Sequence, residues 1–246
     1  MPISPNQGST GGGTTVTITG TNLAGASAVN FGSKLATITA NTPTSVTVTS
    51  PSGSGTVPVT VTTAAGASNP LNFYYIGAPF KASLSAASGP SAGGNTVTIR
   101  GTGLATASSV AFGGNNATPT VTSDSVLSVT VPAGTSGSVG VSITTTGGTN
   151  NGFSYTYVDP PTIASLTPTS GSTSGGTAVT ITGTDLSTTE SVTFDGVTAP
   201  FSVINSTTVS AVTPPGNVGA VDVVVSTTGG NATAAAGFTY VAGAGI

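Results

Sequence analysis

Apolar and hydroxyl side chains alternate along this chain with a period of two. Val16 and Ile18 are flanked by Thr15, Thr17 and Thr19, and the same alternation runs through Val97 and Ile99 and then through Val179 and Ile181. A strand with this pattern buries one face and wets the other. A second alternating set, Val57, Val59 and Val61, recurs as Val139, Val141 and Ile143 and as Val221, Val223 and Val225. About seven such runs, each bounded by turn residues, fit within roughly 80 residues, which predicts two sheets packed face to face.

The alternation is itself repeated. GGGTTVTITGTNL at 11–23 returns as AGGNTVTIRGTGL at 92–104 and as SGGTAVTITGTDL at 174–186, at offsets of 81 and 82 residues. Phe31, Phe112 and Phe194 keep this spacing, as do Pro51, Pro132 and Pro214. Self-similarity at a fixed period marks a tandem array. Each unit closes on an aromatic pair, read as Phe73/Tyr75, Phe153/Tyr155 and Phe238/Tyr240. The glycine pairs Gly12-Gly13, Gly93-Gly94 and Gly175-Gly176 predict a sharp turn before the first strong strand. After it, Asn22, Gly103 and Asp185 are residue types that tolerate a left-handed backbone. Positive φ is predicted there, with Leu23, Leu104 and Leu186 turning into the core. Ala65-Gly66, Gly147-Gly148 and Gly229-Gly230 read as tips of the last hairpin of each unit.

The glycine-pair turn, the TVTITGTNL strand, the Phe-Gly turn and the closing F-x-Y together resemble IPT/TIG domains, which are early-set immunoglobulin-like modules. The resemblance covers nearly all of residues 2–241. It implies three tandem all-β, immunoglobulin-like sandwiches with a binding, spacing or adhesive role, and it implies no catalytic residues. The expected boundaries are 1–77, 78–158 and 159–241, followed by a small apolar and mobile tail at 242–246. Nothing before Ile3 matches the lead-in Pro160-Pro161-Thr162-Ile163, so the first strand of the first unit should be short or frayed. The connections Gly77-Ala78-Pro79 and Asp159-Pro160-Pro161 contain prolines that restrict the backbone, and a semi-rigid rod is the expected form.

Charge removes several function classes. Only 4% of residues are charged, with three Lys and Arg, six Asp and Glu, no His and no Cys. A net charge of −3 does not suit phosphate-backbone binding, which needs clustered Lys and Arg. General acid–base catalysis most often uses His, and a hydroxyl nucleophile needs an adjacent base. Asp124, Asp159, Asp185, Glu190, Asp195 and Asp222 are scattered, and Asp185 and Asp195 stand where the other copies have turn residues. No Asp-x-Asp pattern suggests calcium. The expectation is therefore a non-enzyme with no cofactor and no metal site. No run of about 18–20 apolar residues suggests a membrane span, and the opening thirty residues lack the basic start and apolar run of an export signal.

The candidate contact residues are Lys34, Tyr74, Arg100, Asn115, Asn116 and Phe201. Lys34, Lys81 and Arg100 are the only cations in the chain, and Arg100 replaces Thr19 and Thr182 on an outward strand face. Tyr74, Tyr157, Phe80 and Phe201 fall outside the repeated aromatic pattern and are candidates for exposed contacts. For Tyr157 and Phe80, packing at domain junctions is the alternative. The loops at 33–37, 114–119 and 196–200 differ most between copies, so contacts are expected there. These features give an expected location outside a cell or on a virion, with other protein subunits or host-surface glycans as partners. A head decoration or tail component of a tailed bacteriophage is the leading reading. A bacterial surface adhesin or secreted fragment, and an auxiliary module of a polysaccharide-active enzyme, are the alternatives.

Overall fold

The computed structural model describes residues 1–242. Of the predicted tail, residues 243–246 lie outside the described residues. Packing divides the chain into two compact units. One comprises Met1–Ser85, Thr96–Thr130 and Gly140–Phe153, and the other comprises Ala86–Asn95, Val131–Val139 and the chain from Ser154 onward. Among the described residues the helical content is one 3-10 turn, Leu186–Thr188, and no helix is long and apolar enough to cross a membrane.

In the first unit, the first repeat is a two-sheet sandwich. One sheet runs in the order Ile3–Ser4, Thr15–Thr19, Ser45–Thr49 and Thr37–Asn41. The other runs Gln7–Ser9, Leu71–Ile76, Gly55–Thr63, Ala28–Phe31 and Lys34–Leu35. Their inner faces supply one core, in which Val16, Ile18, Val46 and Val48 meet Val29, Phe31, Val61 and Phe73. The opening strand is only Ile3–Ser4, against the six residues of Thr162–Thr167 in the third repeat. The same unit holds a second-repeat sheet in the order Phe80–Leu84, Thr96–Thr102, Val126–Thr130 and Thr120–Ser123, whose Val97, Ile99 and Leu127 are wholly buried. Ser109–Phe112 pairs with the stretch 141–144 and with Asn115–Ala117.

In the second unit, the third repeat has one sheet in the order Thr162–Thr167, Ala178–Thr184, Thr208–Val212 and Phe201–Asn205. The other runs Ser170–Ser172, Gly230–Val241, Gly219–Thr227, Thr189–Phe194 and Val197–Ala199. Val179, Ile181, Val209, Val223, Val225 and Phe238 form its core. The alternation thus buries the residues it predicts. Asn22, Gly103 and Asp185 have φ of 59°, 71° and 57°, and Leu23, Leu104 and Leu186 are buried. The glycine pairs are needed for close approach as well as for turning. A Cβ on Gly12 would lie 2.7 Å from the Pro51 carbonyl carbon, and one on Gly175 would lie 2.6 Å from that of Pro214.

The structure corrects the aromatic register of the second repeat. The closing pair is Tyr155/Tyr157, not Phe153/Tyr155. Tyr75, Tyr157 and Tyr240 are equivalent, because each hydroxyl donates to the carbonyl of the repeated proline, Pro51, Pro132 or Pro214, at 2.7, 2.8 and 2.6 Å. Tyr155 therefore stands where the other repeats have Phe73 and Phe238. Its extra hydroxyl meets the Asn95 side chain at 2.9 Å, and Asn95 itself replaces Thr14 and Thr177. Tyr157 is accordingly a core residue and not a surface contact, whereas Phe80 is 65% exposed. The hairpin tips also shift by one residue. The turns are 64–65, 146–147 and 228–229, and Gly66, Gly148 and Gly230 begin the return strands at φ of 120°, 124° and 134°.

Lys81 is buried, which the sequence reading missed. It occupies the place of Ile163 in the third repeat, since Lys81 pairs with Gly101 as Ile163 pairs with Gly183. Its ammonium donates to the Val141 carbonyl at 2.6 Å and lies 5.2 Å from the centre of the Phe153 ring. Burial pushes the ammonium below the usual lysine value, because desolvation disfavours the charged form.

Two predictions follow from this core. Ile181→Asp places an unpaired carboxylate at a site with no solvent exposure, and should destabilise the third repeat by about 4 kcal/mol or more, read as loss of that repeat's transition in denaturant unfolding. Burial raises the Tyr75, Tyr155, Tyr157 and Tyr240 hydroxyls above the usual tyrosine value of 10.0. The unfolded chain therefore releases these protons first, so stability is fully present below pH 10 and falls as pH rises above it. Tyr240→Phe should cost about 1–2 kcal/mol at neutral pH and reduce the third repeat's alkaline loss, measured by urea unfolding from pH 7 to 11.

Candidate contact clefts

The same cleft forms in the first and third repeats, between a short hairpin and the proline loop. In the first repeat the hairpin Phe31-Gly32-Ser33-Lys34 turns at Gly32, whose φ is 62°, with Phe31 opposite Lys34. In the third it is Phe194-Asp195-Gly196-Val197, with φ of 52° at Asp195 and 77° at Gly196 and Phe194 opposite Val197. Positive φ at the centre of a two-residue loop matches the twist of the flanking strands. This accounts for Gly or Asp at these positions.

Phe31 and Tyr75 line the cleft in the first repeat and Phe194 and Tyr240 in the third, each pair joined through a buried aromatic ring. Phe31 stands edge-on to Phe73 at 5.0 Å and Phe73 to Tyr75 at 5.1 Å, while Phe194, Phe238 and Tyr240 repeat this at 5.3 and 5.2 Å. Such edge-to-face pairs fix ring orientation beyond simple area burial. The final tyrosine ring lies flat under a loop glycine, Gly53 or Gly216, and its hydroxyl is taken by the proline carbonyl. The clefts above measure about 290 Å³ in the first repeat and 310 Å³ in the third.

The rims differ. In the first repeat the Lys34 ammonium crosses the cleft to donate to the Ser52 carbonyl at 2.8 Å and its hydroxyl at 3.3 Å. In the third, Val197 takes the Lys34 position and Asp195 the Gly32 position. The frame is therefore held while the rim changes from cationic to apolar and acidic. Segments 33–37 and 196–200, which vary most in sequence, contribute Ser33, Lys34 and Val197 to these rims.

Of the six sequence-predicted contact residues, Lys34 lines a cleft. Tyr74 is 42% exposed on the outer face of its strand, and Arg100 is exposed opposite Val126. Asn115 and Asn116 are exposed on one short strand, where the Asn116 Oδ1 accepts from the Ser109 hydroxyl at 3.3 Å. Phe201 is not an exposed contact. It is half-buried and packs against the third-repeat core, opposite the buried Ala211. The exposed apolar residues of that edge strand are Val203 and Ile204. The clefts were missed because their floor is read in sequence as core and their frame is a loop carbonyl. The recurrence of Pro51 and Pro214 with the aromatic pairs is the signal that carries them. Among the described residues, no three of His, Cys, Asp and Glu come together in a way that could hold a metal ion.

With this geometry in place, the sequence matches the IPT/TIG domain three times, over residues 1–75, 79–157 and 161–241. The chain belongs to the IPT/TIG family. Its three tandem IPT/TIG domains are similar in structure to the plexin A4 full extracellular region at 20% identity and a TM-score of 0.49, covering 93% of this chain and 22% of that one. They are also similar to SGBP-B from a xyloglucan utilization locus of Bacteroides uniformis, at 19% identity and 0.33 over 66% of this chain and 49% of that one. A third similarity is to the Escherichia coli adhesin FdeC, at 14% and 0.32 over 98% and 93%. The chain spans about a fifth to a third of the length of the plexin chains it matches. No curated protein matches it.

The cleft frame generates a direct test. A Cβ on Gly216 would lie 2.5 Å from Cε2 of the Tyr240 ring. Gly216→Ala should displace the ring from its floor position and cost about 1–3 kcal/mol, read as a lower denaturant midpoint for the third domain alone.

Proposed function

We propose that this chain is a non-enzymatic structural protein that works by contact, presenting IPT/TIG faces to other protein subunits or to a host-surface glycan. The observation that carries this reading is the cleft found in the first and third domains, with a constant floor and a changed rim. Binding functions tend to sit on loops that vary over a rigid scaffold, and here Lys34 on one rim is exchanged for Val197 and Asp195 on the other.

The outer faces support the same reading. Hydroxyls on neighbouring strands pair with each other, Thr162 with Thr184 at 2.9 Å and Ser165 with Thr182 at 2.6 Å. With 4% charged residues, such a face is wetted by hydroxyls and offers little long-range repulsion to a neighbour of the same kind. That property suits a surface crowded beside many copies of itself. The finer reading is therefore an accessory protein on the particle of a tailed bacteriophage, as a head decoration or tail component.

Density-gradient fractionation of a lysate from the native source, with the chain quantified by mass spectrometry, tests the finer reading. Co-migration with particles at a constant ratio to the major particle protein is expected. Recovery only with the bacterial envelope would overturn the virion reading in favour of an adhesin. Retention on a glycan array, lost on Lys34→Glu, would replace subunit contact by glycan recognition.

A further inference from the structure

The last hairpin of each domain ends in a tip built alike three times. A threonine three residues before the return strand's opening carbonyl holds it. Thr145 Oγ1 accepts from the Gly147 amide at 3.1 Å and donates to the Gly148 carbonyl at 3.2 Å. Thr227 does the same for Gly229 and Gly230, both at 3.2 Å. Thr63 does so for Ala65 and Gly66, at 3.3 and 3.4 Å. Gly147 and Gly229 lie outside the left-handed region, and Ala65 shows that this turn accepts a side chain. Backbone conformation therefore does not require glycine at 147 and 229.

What differs is the neighbour. A Cβ on Gly147 would collide with the Gly77 carbonyl oxygen and approach the Ile76 side chain to 3.0 Å. A Cβ on Gly229 would collide with the Asp159 carbonyl oxygen. Gly77 and Asp159 are equivalent residues of the two linkers. In the first joint, the Ser9 hydroxyl also donates to the Gly147 carbonyl at 2.9 Å, and Asn150 Nδ2 donates to the Pro79 carbonyl at 2.7 Å. In the second, the Ser91 and Ser136 hydroxyls hold the Asp159 carboxyl below the usual carboxylate range, and Pro160 lies against Gly230. The first domain's tip carries Ala65 at the corresponding position. Gly66 faces open space, and beneath the tip is an open cleft of about 280 Å³ lined by Met1, Asn22 and Leu23 among others. In the second domain, Gly103, the counterpart of Asn22, faces Pro79.

We propose that the hairpin tip of an IPT/TIG domain in this chain is a docking seat for the extended linker that enters it, and that Gly147 and Gly229 are the residues that let the seat close. The partner this surface fits is an x-Pro peptide passing backbone-first under the tip, with a carbonyl where a Cβ would otherwise stand. Each joint is then a fixed contact and not a free hinge. This inference stands independently of the phage reading.

The chain has no cysteine, so spin labels can be placed cleanly at Ala40→Cys and Thr120→Cys, both exposed positions on either side of the first joint. Double electron–electron resonance on the full chain should give a narrow distance distribution. Gly147→Ala should widen it at least twofold, while Ala65→Gly should leave it unchanged. If Gly147→Ala does not fold, Asn150→Ala decides, since it keeps the glycine and removes the amide that grips Pro79; widening is expected. An unchanged width in Gly147→Ala or in Asn150→Ala, or a parent distribution already as broad as the variants, would overturn the proposal.

Discussion

A tyrosine near the end of each domain places its hydroxyl on the carbonyl of a proline in a distant loop, at 2.6–2.8 Å. A buried hydroxyl without a partner is costly, and so is a buried carbonyl, so each group fixes the other. The ring lies under a glycine of the same loop, Gly53, Gly134 or Gly216, at a distance that leaves no room for a Cβ. This contact ties the last strand to the turn that leads out of the opposite sheet. The register of that strand, the edge-to-face ladder of the first and third domains and the floor of their clefts all depend on it. An aliphatic side chain in the tyrosine's place would fill the core but leave the loop unpinned.

The sandwiches were legible because period-two patterning is a direct record of burial. Val97, Ile99, Val179 and Ile181 are wholly buried, and no longer-range information was needed to see it. Phe153 shows the limit of that reading. The string Phe153-Ser154-Tyr155 reproduces F-x-Y, yet its offset from Phe73 is 80 residues, against 81 for Phe31 and Pro51 and 82 for the neighbouring valine set. The hydrogen bond to Pro132 selects Tyr157 instead, and a bond between residues 25 apart leaves no local mark. Lys81 was illegible for a related reason. A lysine is expected in water, and only the strand register that aligns it with Ile163 reveals that its stem fills a core-edge position while Val141 and Phe153 receive its charge.

The candidate site was less legible than the fold. Lys34 was recognised because cations are scarce, and it does line a cleft. Phe201 breaks the aromatic pattern and so reads as a surface contact, but an edge strand can turn a ring inward where its partner is as small as Ala211. The cleft is a property of three separated segments, and each has an ordinary reading alone: a turn, a proline loop and a core aromatic. Only their convergence is informative, and convergence is what a linear pattern does not carry.

Glycine can be required by its own backbone or by what lies against it, and the two causes leave different signatures. Gly148 and Gly230 show the first, with φ of 124° and 134°. Gly147 and Gly229 show the second, since Ala65 makes the same turn with a side chain while a Cβ at 147 or 229 would meet a linker carbonyl. The difference between copies is thus chemical information about what each domain touches. A module whose individual contacts are weak gains most when its joints are fixed, because a constrained linkage raises the effective concentration of the next contact. In a chain with almost no charge to steer its encounters, closing each linker under a glycine tip supplies that constraint through shape and, at the first joint, through the Ser9–Gly147 and Asn150–Pro79 hydrogen bonds.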